Sequence, residues 1–216
     1  MNKKLHNQIK DLINCLYEMG CLVKKTFKKT LQAYKNIDID LAKEIIVVDT
    51  VINSCSNSAE SKCLKILGLY HPTASDFRSV ASCLKILSDI ERIGDQCADI
   101  CEIISMNNIE QNLECFNKVA EMLEFVYNMF QRTCEAFLNV NIDEAKEICY
   151  SDDEVDDMFA SVVFNSSVVM SKESSKIRMG ADLMFVAKYA ERIGDHCTNI
   201  SEWVIYLVTG VHPNLN

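Results

Sequence analysis

Glu91-Arg92-Ile93-Gly94-Asp95 returns one hundred residues later as Glu191-Arg192-Ile193-Gly194-Asp195, and the match continues through Cys97/Cys197, Ile100/Ile200 and Glu102/Glu202. A second echo pairs Asp38-Ile39-Asp40-Leu41-Ala42-Lys43 with Asn141-Ile142-Asp143-Glu144-Ala145-Lys146. Two echoes in the same order predict the duplication of one unit. The periodicity inside the motif is helical. At about 100° per residue, Ile93, Cys97, Ile100 and Ile104 gather into a core stripe, while Glu91, Asp95, Asp99 and Glu102 gather on a narrow acidic face.

Outward from the motif the pattern stays helical. Leu5, Ile9, Leu12, Ile13, Leu16, Met19, Val23 and Phe27 follow the three-or-four spacing of one buried stripe and predict a first helix over 5–33. Asp38-Ile39-Asp40 supplies an N-cap and acidic first turn for a second helix, which stops at His71-Pro72. Thr73-Ala74-Ser75-Asp76 caps a third helix that reaches about Ser105. After Met106-Asn107-Asn108 the plan repeats: an amphipathic helix over 113–138, a fifth helix capped by Asn141, and a sixth from about Ala181 to Val208. The expected fold is all-α, with two tandem similar three-helix bundles over 1–107 and 108–216. Only 6 glycines and 2 prolines punctuate the chain, too few for the turns of a sandwich, barrel or βαβ array.

The formal charge is −9, which argues against nucleic acid as a partner, because phosphate contact needs a basic stripe. Residues 1–108 carry 14 basic and 13 acidic side chains, whereas 109–216 carry 8 and 18. Met1–Asp11 mixes Lys3, Lys4, Lys10 and Asp11 with few apolar residues, so it does not read as a secretory leader. The 11 cysteines form no CxxC pair and are expected to be reduced thiols packed as small apolar residues in the cytoplasm. Cys97 and Cys101 share a helix face, but two thiolates make only half of a structural zinc site.

Like charges four residues apart destabilise an isolated helix by a few tenths of a kcal/mol per pair. Stacked pairs in both copies therefore call for a compensating partner, and a hard cation with oxygen ligands is one. Arg92 and Arg192 offer the other solution, ordinary ion pairing on a solvated face. A cluster needs carboxylates from a second helix: Asp49 with Asn53 in the first half, Asp152 with Asp156 in the second. The run Asp152-Asp153-Glu154-Val155-Asp156-Asp157 makes the second half the stronger expected cation site, although such a run also suits a solvated helix start. Gly94 and Gly194 fall beside the core stripe, where a missing side chain admits a neighbouring helix.

Together the two Glu-Arg-Ile-Gly-Asp segments, His71-Pro72-Thr73-Ala74-Ser75-Asp76-Phe77-Arg78 and Asp40-Leu41-Ala42-Lys43 resemble the PhoU family over nearly the whole chain. The resemblance implies a cytoplasmic, non-catalytic regulator built from two three-helix bundles, repressing the phosphate-starvation response and restraining phosphate uptake. It implies contact with the ATPase subunit of the phosphate ABC transporter and with a sensor histidine kinase, so that any membrane association is peripheral. It also implies a homodimer, and iron, zinc or another divalent metal on acidic bundle faces. Carried over residue by residue, the metal positions are Asp49, Glu91, Asp95 and Asp99 in one half, and Asp152, Asp156, Glu191, Asp195 and Asn199 in the other. Asn53 and Asn199 stand where a carboxylate would strengthen each set.

Two other readings compete. A di-metal oxidase needs Glu-x-x-His on two helices, and no Glu here has a His three residues later. His196 falls off the acidic face, at a surface or interface position. A metal-free helical adaptor would use the acidic faces for docking, with Lys24-Lys25-Thr26-Phe27-Lys28-Lys29 as a second candidate surface or a simple solvated face. No glycine-rich phosphate loop, nucleophile elbow or evident phosphate pocket is present; the arginines are Arg78, Arg92, Arg132, Arg178 and Arg192.

Overall fold

The structure is a computed structural model describing residues 3–111 and 113–213. Its helices are α1 (Lys3–Asn36), α2 (Ile39–Tyr70), α3 (Ala74–Ser105), α4 (Glu114–Asn139), α5 (Ile142–Tyr150), α6 (Asp152–Lys172) and α7 (Ile177–Thr209), with one 3₁₀ turn at Ser174–Lys176. The described residues contain no strand. The expected fifth helix is present in two pieces, α5 and α6. They meet at Ser151, whose hydroxyl donates to the Glu147 carbonyl at 2.9 Å, back-bonding of the kind that bends helices. With α5 and α6 taken together, the architecture is three helices followed by three, as the repeat predicts. The last helix begins at Ile177, one turn earlier than the periodicity suggested.

The α1–α2 and α4–α5 hairpins each turn within two residues. Asp38 N–H bonds the Ala33 carbonyl at 2.9 Å, and Asn141 N–H bonds that of Ala136 at 2.9 Å. These six-residue closures are Schellman caps. The same residues then open the next helix: Asp38 accepts from Leu41 N–H at 3.0 Å and Asn141 from Glu144 N–H at 3.2 Å. Thr73 differs from expectation, because its hydroxyl donates to the Asp76 carboxylate at 3.4 Å rather than capping the α3 backbone.

Both hairpins force a β-branched residue into the left-handed region, Ile37 at φ 49° and Val140 at φ 52°. That conformation costs roughly 1–2 kcal/mol for an L-residue and almost nothing for glycine. Ile37 packs against the core, whereas Val140 is exposed. Val140→Gly is therefore expected to stabilise the protein by about 0.5–1 kcal/mol, and Ile37→Gly not to. Urea titration of the two variants measures the difference.

The two halves share one core. Tyr34 stacks on Phe116 with centroids 4.7 Å apart, and Phe27 meets Tyr127 edge-on at 5.5 Å, so α1 and α4 run antiparallel. A buried Tyr34 hydroxyl needs a partner, which it finds in the Phe116 carbonyl at 3.2 Å. α3 and α7 form a second antiparallel seam, with Arg78 against Gly210 and Lys176 within 3.5 Å of Glu110. Ile93, Cys97, Ile100 and Ile104 are fully buried, as the wheel predicted.

Cys63, Cys83, Cys97, Cys101, Cys115, Cys149 and Cys197 are buried free thiols. Burial pushes Cys101 up to about 12, which leaves it an inert packing group rather than a zinc ligand. No helix among the described residues is long and apolar enough to cross a membrane. Lys25 and Lys28 of the basic run are exposed and Lys24 and Lys29 half-buried, lying along the outer face of α1.

Candidate functional site

The motif helices α3 and α7 carry the acidic residues, and the glycines decide what faces them. A Cβ added at Gly94 would lie 3.0 Å from Ile52 Cδ1 and 3.1 Å from its Cγ2. At Gly194 it would lie 3.1 Å from Val155 Cγ1. Hydrogen in place of a methyl thus lets α2 press on α3 and α6 on α7. One turn before each contact, α2 presents Asp49 and α6 presents Asp152.

In the first half Asn53 Nδ2 donates to Asp49 Oδ2 at 2.9 Å, and Ser56 Oγ donates to Glu91 Oε2 at 2.9 Å. Arg92 reaches Asp95 at 3.3 Å from an exposed position. Burial and then the neighbouring Asp49 push Asp95 up to about 6, with Arg92 opposing. Burial followed by Glu102 raises Asp99, and Arg192 of the other half opposes this from across the seam. Asp49 Oδ1 and Asn53 Oδ1 are buried and accept no hydrogen bond while Asp95 is ionised, whereas a protonated Asp95 hydrogen-bonds the Asp49 carboxylate. Two bare oxygens beside a reluctantly ionised carboxyl are what a cation or ordered water would satisfy.

The second half solves its charge problem differently. Asp152 is raised by burial and then by Asp156, while Thr198 Oγ1 donates to it at 3.3 Å. Asp195 is raised by burial, then by Glu191 and Asp152, against Lys188 and His196. Lys188 pairs with Glu191 at 2.5 Å and lies over the Phe159 ring at 5.4 Å. In repeat register Lys188 matches Ser88 and Phe159 matches Ser56, so at these two positions this half has a cation and a ring where the first half has hydroxyls, its counter-charge coming from Arg92 instead. Asp153, Glu154, Asp156 and Asp157 are exposed, and so is Asn199. The acid-rich run therefore contributes mainly to the surface, and the carboxyl with the largest upward displacement, Asp95, belongs to the first half.

Among the described residues no three His, Cys, Asp or Glu side chains already converge on one point suited to an ion. The carboxylates of both faces turn to Ser56, Arg92, Thr198 and Lys188 instead. The structure thus brings Asp49, Glu91, Asp95 and Asp99 onto one helix pair, and Asp152, Asp156, Glu191 and Asp195 onto the other. Glu202, also on the acidic face by periodicity, lies 3.9 Å from His212 instead.

Sequence reasoning missed the hydroxyl partners Ser56 and Thr198. Ser56 could have been found seven residues after Asp49, on the same face of α2. It also missed the traffic across the α3–α7 seam. His196 lies at an interface, as expected, and its Nδ1 meets Asp89 Oδ1 of the other half at 2.9 Å.

Comparison with known proteins agrees with this architecture. The family model described as "PhoU domain" matches twice, at residues 16–104 and 119–204. The chain is 31% identical, over the full length of both sequences, to the phosphate-specific transport system accessory protein PhoU homolog of Clostridium acetobutylicum. It is also 31% identical to the accessory protein PhoU of Escherichia coli K12, over 89% of this chain and 80% of that one. The crystal structure of PhoU from Pseudomonas aeruginosa superposes with a TM-score of 0.92 at 28% identity, covering 95% of this chain and 99% of that one. The phosphate transport system regulatory protein PhoU from Streptococcus pneumoniae gives 0.89 at 26%, covering 97% and 99%. With both repeats matched and both acidic helix pairs in register, the chain belongs to the PhoU family.

Proposed function

We propose that this protein is a cytoplasmic, non-catalytic regulator of phosphate transport, a negative regulator of phosphate uptake and of the phosphate-starvation response. Its relatives are named as accessory proteins of the phosphate-specific transport system, and this chain matches one of them along its full length. In this reading it acts as a homodimer through contact with the phosphate transporter's ATPase subunit and with a sensor histidine kinase.

The acidic helix pairs hold a divalent cation, iron, zinc or another, in the same reading. Asp49, Glu91, Asp95 and Asp99 are the residues for the first site; Asp152, Asp156, Glu191, Asp195 and Asn199 are those for the second. A cation there would neutralise carboxylates held close together and fix α2 to α3 and α6 to α7. The observation that supports it is the pair of bare buried oxygens on Asp49 and Asn53 beside Asp95. A metal-free adaptor draws support from the Lys188–Glu191 and Arg92–Asp95 pairs, which meet part of the charge without any ion.

Deleting the gene is expected to raise phosphate-starvation transcription in phosphate-replete medium. Unchanged transcription together with unchanged phosphate uptake would refute the regulatory reading. Metal analysis of gently purified protein separates the two versions of the site: stoichiometric metal lost in Asp95→Ala supports the cation, and its absence supports the adaptor.

A further inference from the structure

A cavity of about 130 Å³ lies where the two bundles meet, between α1, α3, α4 and α7. Its inner wall is Leu16, Ile86, Ile90 and Ile200, all buried, and its mouth carries Tyr17 and Lys24. The repeat explains why space remains. Thr30 sits beside the Cys97 thiol as Thr133 sits beside that of Cys197, which sets α1 and α4 in a register of 103 residues. In that register Gly20 matches Leu123, and Cys134 matches Leu31. Gly20 and Cys134 are near neighbours on the cavity wall, with Sγ 3.5 Å from where a glycine Cβ would stand. The repeat-related positions carry two leucines, both packed in the core.

Close-packed cores leave few voids larger than a water molecule, and an unfilled one weakens the fold. Apolar cavities of about 150 Å³ stay dry and accept a benzene-sized guest. One lysine at the mouth offers a counter-charge, and Glu135 on the rim opposes a second negative charge on a guest. We propose that this inter-bundle cavity is a binding site for a small amphipathic monoanion, with an apolar body of about six heavy atoms inside and a single carboxylate at Lys24. Such a guest would touch helices of both halves and so couple its own concentration to the stiffness of their junction.

Sodium benzoate tests the assignment on the full chain, with phthalate as the dianion and benzyl alcohol as the neutral analogue. Benzoate is expected to raise Tm in the millimolar range and to perturb the amide signals of Gly20 and Cys134, and phthalate to do neither. Cys134→Leu should raise Tm of the free protein by roughly 4 °C and abolish the benzoate response. Gly20→Ala, whose added carbon makes only ordinary contact, serves as a second filling variant and should weaken benzoate at least fivefold. Lys24→Met should weaken benzoate at least fivefold and leave benzyl alcohol unchanged. No benzoate binding, equal binding of phthalate, or a benzoate response that survives both filling variants would overturn the proposal.

Discussion

Gly194→Val is expected to lower stability by roughly 2 kcal/mol and Tm by about 6 °C. The ground is the distance of 3.1 Å from a hypothetical Cβ to Val155 Cγ1, with Val155 Cγ2 at 3.4 Å and Cβ at 3.6 Å. Val155 is fully buried and β-branched, so it has no free rotamer into which to retreat. Relief must come from moving α6 away from α7, which carries Asp152 away from Asp195. Gly68 provides the control, because nothing lies within 4 Å of a Cβ added there. Gly68→Ala is expected to stabilise by up to about 1 kcal/mol, the ordinary helix-propensity gain. Thermal melts of the two variants decide the matter: a Gly194→Val protein as stable as the wild type would show that the glycine is not there for close packing.

The second large effect concerns the first acidic site. A divalent cation at about one hundred times its Kd should raise stability by roughly 2.7 kcal/mol, and Asp95→Asn should remove most of that gain. Without metal the sign reverses. The Asp95 carboxyl titrates at about 6 in the folded protein against 3.8 ordinarily. The folded state therefore binds more proton between pH 4 and 6, and this group's contribution to stability falls as pH rises through that window. Asparagine avoids the penalty, so metal-free Asp95→Asn should exceed wild type at pH 7. Asp95 is partly open to water, so the gain is discounted to roughly 1 kcal/mol. At pH 4 the two proteins should coincide. Chelator-treated samples unfolded in urea at both pH values, then repeated with added manganese or zinc, give all four comparisons. A variant less stable than wild type at pH 7 in chelator would sink the account.

The helices, their caps and the acidic stripe were legible because each rests on local rules. Asp38 and Asn141 cap what their neighbours predict, and the buried stripe of α3 follows from spacing alone. Gly94 and Gly194 were legible as close contacts because a glycine inside a helix has few other uses. The opposing residues Ile52 and Val155 were not, since a wheel says nothing about where the next helix crosses. The acid-rich run at 152–157 pointed to the second half, but exposure is a tertiary property, and four of its five acids lie open to water. The bare oxygens of Asp49 and Asn53 depend on α2–α3 packing and leave no trace in composition. The cavity at Gly20 and Cys134 was hidden for a similar reason: two small residues on different helices gain meaning only when the α1–α4 register is known.

The α3–α7 seam carries a consequence for the ancestry of the chain. Arg192 from the later copy tempers Asp99 of the earlier one, and His196 meets Asp89 across the same line. The matching arginine, Arg92, faces no carboxylate at Asn199 and folds back onto Asp95. What began as twins has become unequal, the later sibling holding the loose charge of the earlier one. Neither could be excised and left whole.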